Sequence, residues 1–222
     1  MLIYFDTETT GLDAKSCRIT ELAAYSSEGK QMDVFLKLPE GEKVPEFITE
    51  LTGIDNETLE KEGITEEEAL AEFLDMFSED ETTYLVAHNC QFDVSFVREA
   101  ILRHPEHQGW LGIFDSADLI DTKTIFQARY ESSRHRLSDA IEIYGLQEEC
   151  KNSHRAIDDA YALKRVFEKM AEEKNDVWKY VNVFAIHPKY GISGDRLAKV
   201  SYGLMENGEI SIEGKTYEMD AA

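Results

Sequence analysis

Two carboxylates near the start of the chain are the first residues whose types and spacing could do chemistry. Asp6 and Glu8 follow the short apolar run Leu2–Phe5, which is typical of a buried central strand. Because strand side chains alternate, residues two apart point to one face of the sheet. Two negative charges there raise each other's pKa unless a cation lies between them. The pair indicates a cation site, although Asp-x-Glu alone is a weak signal.

A third carboxylate follows a second apolar run, Thr83–Ala87, which also predicts a buried strand. His88 and Asn89 begin a short loop, and Phe92–Leu102 has the apolar spacing of a helix. Asp93 therefore lies at the beginning of a helix, where the helix dipole favours negative charge. A capping role and a functional role both fit this position.

The third feature is a histidine followed five residues later by an aspartate. Five residues on one helix turn through roughly 140°, so His154 and Asp159 can face one cleft only if His154 lies on the loop before the helix. We place the helix start near Ala156–Asp158. For both Asp158 and Asp159, a plain role as an acid in the first helical turn remains open.

The elements that must position these side chains form an α/β pattern. Besides the two central strands, strands are predicted at Arg18–Ser26, Met32–Leu38 and Ser116–Asp121, and helices between Ile64 and Phe77 and at Lys123–Tyr130, Leu137–Tyr144 and Ala156–Ala171. Residues 1–174 are predicted to form one α/β domain. Residues 175–222 are predicted to form a smaller β-containing extension, because Asn207-Gly208 between two apolar runs is a strong hairpin signal.

The charge of the chain restricts its function. In 222 residues, 23 Lys and Arg stand against 45 Asp and Glu, a formal charge of −22. We interpret the most acidic segment, residues 55–81, as solvated helix faces, with a surface for a basic partner as the alternative. This balance argues against a protein that coats nucleic acid without regard to sequence. It does not exclude an enzyme that holds one nucleic-acid end through bound cations.

The lack of recognisable targeting signals and the use of cysteine predict a cytoplasmic protein. No apolar run approaches the roughly 18 residues of a membrane helix, and the N-terminus lacks the basic region of a signal peptide. Cys17, Cys90 and Cys150 are odd in number and contain no Cys-x-x-Cys pair. We expect reduced thiols, without a disulfide framework or a zinc site, and no membrane association.

Taken together, the motifs closely resemble the DEDDh family of 3′–5′ exonucleases, which includes the proofreading epsilon subunit of bacterial replicative DNA polymerase III, oligoribonuclease and ribonuclease T. The matching motifs are Asp6-Thr7-Glu8-Thr9-Thr10-Gly11-Leu12, Asn89-x-x-Phe92-Asp93 and His154-x4-Asp159. The resemblance covers about residues 1–172 and is supported by Leu51-Thr52-Gly53-Ile54, Asp121-Thr122 and His135-Arg136-Leu137-Ser138-Asp139. It implies a ribonuclease-H-like fold, a mixed five-stranded sheet flanked by helices.

The resemblance also implies residue roles. Asp6, Glu8, Asp93 and Asp159 are expected to bind metal, Glu8 and His154 to be catalytic, and His154 to be the general base. Four carboxylates without a nearby cysteine favour Mg²⁺ or Mn²⁺ over Zn²⁺. Two such ions could hold a phosphodiester for in-line hydrolysis. The expected product is a nucleoside 5′-monophosphate released from a DNA 3′ end.

Substrate contacts and partners are less constrained. By resemblance, the pocket for the terminal base is lined by Thr9, Thr10, Gly11, Leu12, Asn89 and Phe92. Leu12 could be a wedge between bases or a core residue, and the basic residues Arg129, Arg134, His135 and Arg136 could bind phosphate or balance surface charge.

Single-stranded DNA is the expected substrate. An exoribonuclease is the alternative, because no residue identifies a contact to a 2′-hydroxyl. A catalytically dead module is disfavoured, since all five motif positions are filled. A polymerase or a second copy of the chain could be a partner.

Overall fold

A computed structural model describes residues 1–130, 134–151, 153–187, 189, 191–192, 194–206, 209–212 and 215–217. The main sheet consists of β1 (Leu2–Thr9), β2 (Ile19–Ser26), β3 (Gln31–Phe35), β4 (Tyr84–Ala87) and β5 (Asp118–Asp121). Its strand order is β3-β2-β1-β4-β5. The β1–β2 and β2–β3 pairs are antiparallel, whereas β1–β4 and β4–β5 are parallel. The predicted mixed five-stranded sheet is therefore confirmed.

Helices cover both faces of this sheet. They are α1 (Glu46–Thr52), α2 (Asn56–Glu62), α3 (Glu66–Leu74), α4 (Cys90–Leu102), α5 (Trp110–Ser116), α6 (Thr122–Arg129), α7 (Leu137–Ile143) and α8 (Ala156–Glu173). Neighbouring residues of β1 separate the layers: Tyr4 packs on Phe167 of α8, and Phe5 packs on Phe73 of α3. The two neighbours face opposite helical layers because successive side chains of a strand point to opposite faces of the sheet. Within the described ranges, no helix is both long and apolar enough to cross a lipid bilayer.

The short helices α1, α2 and α5 were not predicted. Each has seven residues, about two helical turns. The α1 helix begins after Pro45, and no side chain caps it. In contrast, the helix predicted between Ile64 and Phe77 is confirmed as α3, and Thr65 and Glu68 form a reciprocal capping box at its start.

A second sheet follows α8 and a single 3₁₀ turn, Val177–Tyr180. It consists of β6 (Val183–Ile186), β7 (Ser201–Glu206), β8 (Glu209–Ile212) and β9 (Lys215–Tyr217). The predicted hairpin is confirmed by the antiparallel β7–β8 pair, although its turn at Asn207-Gly208 lies outside the described residues. The second sheet shares the main hydrophobic core through side chains such as Phe184 and Tyr202. The division into units at residue 174 stays a prediction.

Asn182 joins the second sheet to β5. Its backbone N–H donates to the Leu119 carbonyl over 2.8 Å, and its side-chain oxygen accepts from the Leu119 N–H over 3.0 Å. Its amide nitrogen also donates to Asp118 over 2.8 Å. These bonds satisfy the outer edge of β5 at Leu119 in place of another strand.

Candidate metal centre and active site

The centre begins with the end of β1 and its partner strand. Asp6 lies opposite Ala23 of β2, and Glu8 lies opposite Glu21. Residues opposite each other in an antiparallel pair share one face of the sheet. Asp6, Glu8 and Glu21 therefore occupy the face that α8 covers, as the predicted strand period requires.

Small side chains bring α8 close to this face. Ala23 packs against Ala156 and Ala160 in a fully buried cluster. With only methyl groups between them, the first turns of α8 lie near the sheet, and Asp159 is carried toward β1. Asp158 turns away and accepts a hydrogen bond from Ser153 over 2.6 Å. Of the two adjacent aspartates, Asp159 is the one that faces the cleft.

His154 lies on the loop before α8, as its spacing from Asp159 requires. Its φ of 55° is left-handed, a conformation that non-glycine residues rarely adopt. The next residue is held firmly. The Arg155 guanidinium donates to both oxygens of the fully buried Glu21 over 2.9–3.2 Å, and the Ala156 N–H donates to the same carboxylate over 3.0 Å. We call these contacts the Glu21–Arg155 clamp. They fix the loop that presents the imidazole.

Asp93 enters the centre from the other side of β1. It lies in the first turn of α4, and Asn89 is the residue that precedes that helix, with a left-handed φ of 74°. The interpretation of Asp93 as a cap is therefore wrong. Its Oδ1 accepts from the Thr7 N–H over 3.0 Å and from the Thr7 hydroxyl over 2.7 Å. These bonds tie α4 to β1 and orient the carboxylate.

Asp121 is a positioning residue whose role was not predicted. It ends β5, and its Oδ1 accepts from the backbone N–H groups of Asn89, Cys90 and Lys123 over 2.8–3.2 Å. Its Oδ2 accepts from the Thr124 hydroxyl over 2.7 Å. One carboxylate thus holds the beginnings of α4 and α6 together. The only sequence signal was the Asp-Thr pair noted as a family feature.

The predicted metal-binding and catalytic residues all line one cleft of about 360 Å³: Asp6, Glu8, Asp93, His154 and Asp159. One ligand atom each from Glu8, His154 and Asp159 lies within 4.8 Å of the others. Residues separated by up to 153 positions in the sequence thus converge, although their roles remain predictions.

Three carboxylates of the cleft have raised pKa values. Burial, and then the charges of Asp159, Glu21 and Asp93, raise the pKa of Glu8 to about 8. Burial raises the pKa of Asp93 to about 7, against the lowering effect of the Thr7 hydrogen bonds. The pKa of Asp6 is raised well above its usual range by burial and then by its carboxylate neighbours. Such a cluster of oxygen donors fits a divalent cation, whose charge would relieve the repulsion that burial intensifies.

The predicted substrate residues fall into two groups. Asn89 and Phe92 line the cleft, and Phe92 also packs on Phe96 with ring centroids 4.8 Å apart. The other group lies in β1 and the turn that follows it: Thr9 is buried, Thr10 and Gly11 are half-buried, and Leu12 is 85% exposed. Leu12 is therefore not a core residue, and its role as a wedge stays a prediction.

The predicted basic cluster is not a single surface. The Arg129 side chain is 9% exposed and pairs with Glu173 and Asp176 over 2.9 and 2.5 Å, which agrees with the charge-balancing alternative and not with phosphate binding. His135 and Arg136 do line the cleft. His88 supports this edge of the cleft: its Nε2 donates to the His135 carbonyl over 2.9 Å, and burial lowers its pKa.

The fold and the site together define a class. A mixed five-stranded sheet in the order β3-β2-β1-β4-β5, flanked by helices, with a carboxylate cluster and an imidazole at the end of its central strand, has the ribonuclease-H-like fold. More particularly, the chain belongs to the exonuclease family, whose sequence profile matches residues 3–167.

Similar proteins agree with this assignment. The chain is 30% identical over 177 residues to DNA polymerase III PolC-type from Caldanaerobacter subterraneus, covering 79% of this chain and 12% of that protein. It is 31% identical over 172 residues to the same polymerase type from Thermotoga maritima, covering 77% and 12%. The chain therefore spans about one-eighth of the length of these relatives.

Solved structures show the same fold. Escherichia coli exonuclease I in complex with a dA16 oligonucleotide superposes with a TM-score of 0.67 at 20% identity, covering 81% of this chain and 42% of that one. Exonuclease I from Methylocaldum szegediense gives a TM-score of 0.65 at 20% identity, with coverages of 81% and 42%. At this identity the likeness establishes the fold alone.

Proposed function

We propose that the chain is a metal-dependent 3′–5′ exonuclease that releases nucleoside 5′-monophosphates from single-stranded DNA. The observation that carries this proposal is the convergence of Asp6, Glu8, Asp93, Asp159 and His154 on one open cleft. The likeness to DNA polymerase III PolC-type and to an exonuclease I in complex with a dA16 oligonucleotide supports DNA as the substrate.

The four carboxylates would hold a pair of Mg²⁺ or Mn²⁺ ions. When bound, these cations supply positive charge that stabilises the negative charge developing on the phosphoryl oxygens. The chain's own groups orient the ions: Thr7 fixes Asp93, and the packing of α8 fixes Asp159. Without this cation charge, the cleft would repel a phosphodiester.

His154 accepts the proton of the attacking water. It is exposed, so water reaches the imidazole, and the Glu21–Arg155 clamp holds the adjoining backbone. The water oxygen forms a bond to phosphorus while the bond from phosphorus to the 3′-oxygen breaks. The leaving 3′-oxygen then takes a proton from solvent. An imidazole suits this task because it titrates near neutral pH.

The test uses 5′-labelled single-stranded DNA with Mg²⁺ and a matched pair of variants. The wild-type protein should shorten the labelled strand stepwise from its 3′ end. Asp159→Asn should lose at least 100-fold in rate, whereas Asp158→Asn should stay within about threefold, since its amide oxygen can still accept from Ser153. Equal losses in both variants, or no stepwise shortening by wild type, would reject the proposal.

An RNA oligonucleotide of matched sequence tests the alternative. Degradation of DNA at least tenfold faster than RNA supports the proposal. The reverse preference would assign an exoribonuclease, which needs contacts to the 2′-hydroxyl.

The cellular setting is also a proposal. Cys17, Cys90 and Cys150 are free thiols, which supports a reducing compartment and hence the cytoplasm.

Association with a polymerase is supported only by the likeness to DNA polymerase III PolC-type, in which the matched segment is part of a much longer chain. Light scattering of the purified chain, alone and with a replicative polymerase, distinguishes a monomer, a homo-oligomer and a polymerase complex.

A further inference from the structure

A second, smaller cavity of about 200 Å³ lies beside the catalytic cleft, between α6 and the second sheet. Asn89 and Lys123 line both cavities, so the two spaces adjoin at these side chains. Gln127 lines the smaller cavity but not the cleft. It lies one helical turn beyond Lys123 on α6, about 6 Å further along the helix axis. We call the smaller cavity the α6 groove.

We propose that the α6 groove binds the phosphodiester backbone of single-stranded nucleic acid upstream of the 3′-terminal nucleotide. This inference rests on the proposed function and assigns a role to residues 175–222. The second sheet would then be part of the substrate-binding surface, because Phe184 of β6 and Tyr202 of β7 supply its side of the groove.

The charge distribution favours a phosphate ligand. The chain has 45 acidic residues, yet Asp121 is the one acid among the described residues that line the α6 groove. Both Asp121 oxygens already accept hydrogen bonds from the chain. The Lys123 ammonium lies at the junction and donates to the Asn89 side-chain oxygen over 3.2 Å. A strand that extends from the cleft into the α6 groove would therefore place a backbone phosphate near the Lys123 ammonium.

The groove walls are held in place before any ligand binds. The Tyr202 hydroxyl donates to the Gln91 side chain over 2.6 Å, which joins β7 to α4. The Ala185 N–H donates to the Thr124 hydroxyl over 2.9 Å, which joins β6 to α6. A preorganised groove binds with less loss of conformational entropy. Its volume is below the roughly 300–1,000 Å³ of most small-molecule pockets, which suits a stretch of backbone entering from the cleft.

The test changes charge at Gln127, which lies outside the catalytic cleft. Gln127→Glu and Gln127→Lys are compared with wild type on two substrates with Mg²⁺ at low salt. One is dT8, which can extend into the α6 groove. The other is the p-nitrophenyl ester of thymidine 5′-monophosphate, which fills only the cleft. Gln147→Glu, an exposed residue elsewhere, is the matched control.

For dT8 we expect Gln127→Glu to raise KM about tenfold and Gln127→Lys to lower it severalfold, with kcat nearly unchanged. Neither variant should change kcat/KM for the ester, and Gln147→Glu should match wild type on both substrates. Gain or loss of one phosphate contact should also change the salt dependence of dT8 binding by about one unit of slope.

Two results would overturn the proposal. Equal KM for dT8 in all four proteins would place the upstream strand elsewhere, and equal effects on both substrates would show that Gln127 acts by disturbing the cleft. Failure of the proposed function is distinguishable, since wild type would then hydrolyse neither substrate. Melting temperatures equal to that of wild type confirm that the variants fold.

Discussion

Removal of one charge from the carboxylate cluster should abolish catalysis and yet stabilise the metal-free protein. Asp6→Asn replaces an acid, whose pKa burial and the charges of Asp93 and Asp159 raise well above its usual range, with a neutral amide. The substituted amide can also donate hydrogen bonds to carboxylates. We therefore expect a higher melting temperature than wild type in EDTA at pH 8, together with loss of exonuclease activity.

Glu8 gives the scale of the stability that one acid of this cluster loses as pH rises. An acid whose pKa is higher in the folded state binds more protons when folded, so stability falls as pH rises from the unfolded pKa to the folded pKa. For Glu8 this window runs from 4.5 to about 8. Between pH 6 and 9, Glu8 alone accounts for a loss of roughly 3 kcal/mol, at about 1.4 kcal/mol per pKa unit. For a chain of this length that corresponds to about 6–12 °C in Tm.

The assay is thermal unfolding of wild type and Asp6→Asn at pH 6, 7, 8 and 9, in EDTA and in 10 mM Mg²⁺. The stabilisation of wild type by Mg²⁺ should grow with pH, because protons compete with the cation for the same oxygens. Asp80→Asn, an exposed residue, controls for net charge and should behave as wild type. A lower Tm for Asp6→Asn in EDTA at pH 8, or a Mg²⁺ effect that does not change with pH, would refute the reasoning.

Three further changes test the positioning contacts. Arg155→Leu leaves the Glu21 carboxylate buried without its partner, so urea unfolding should show a loss of about 3 kcal/mol and kcat should fall; an unchanged unfolding midpoint would contradict the clamp. Thr7→Val removes one hydrogen bond to Asp93 and should cost about 1 kcal/mol while raising the Mg²⁺ concentration for half-maximal activity, which a metal titration measures. Asp121→Asn should loosen the start of two helices, seen as faster hydrogen exchange of the amides that it now holds; unchanged exchange would count against its positioning role.

The sequence predicts local features of this site better than long-range ones. Strand alternation predicts the shared face of Asp6 and Glu8, and helical geometry requires His154 to lie on a loop before α8. The Glu21–Arg155 clamp could not be predicted in this way, because its partners lie 134 positions apart.

The partners of charged residues are equally hard to predict from the sequence. Arg129 resembles a member of a basic cluster in the sequence, but its carboxylate partners are Glu173, the last residue of α8, and Asp176, which follows that helix. Asp121 carried a visible motif, yet its four hydrogen bonds depend on where α4 and α6 begin relative to β5. Which ion pair forms is decided by tertiary packing, and one sequence contains no direct record of it.

The contact of Asn182 with β5 has a consequence for anyone who shortens this protein. A chain cut at residue 174 would leave the N–H and carbonyl of Leu119 unpaired along the outer edge of β5. Bare strand edges recruit strands from other molecules, so such a fragment is expected to self-associate. Precipitation of that fragment would then reflect an uncovered β-edge and say nothing of a lost catalytic function.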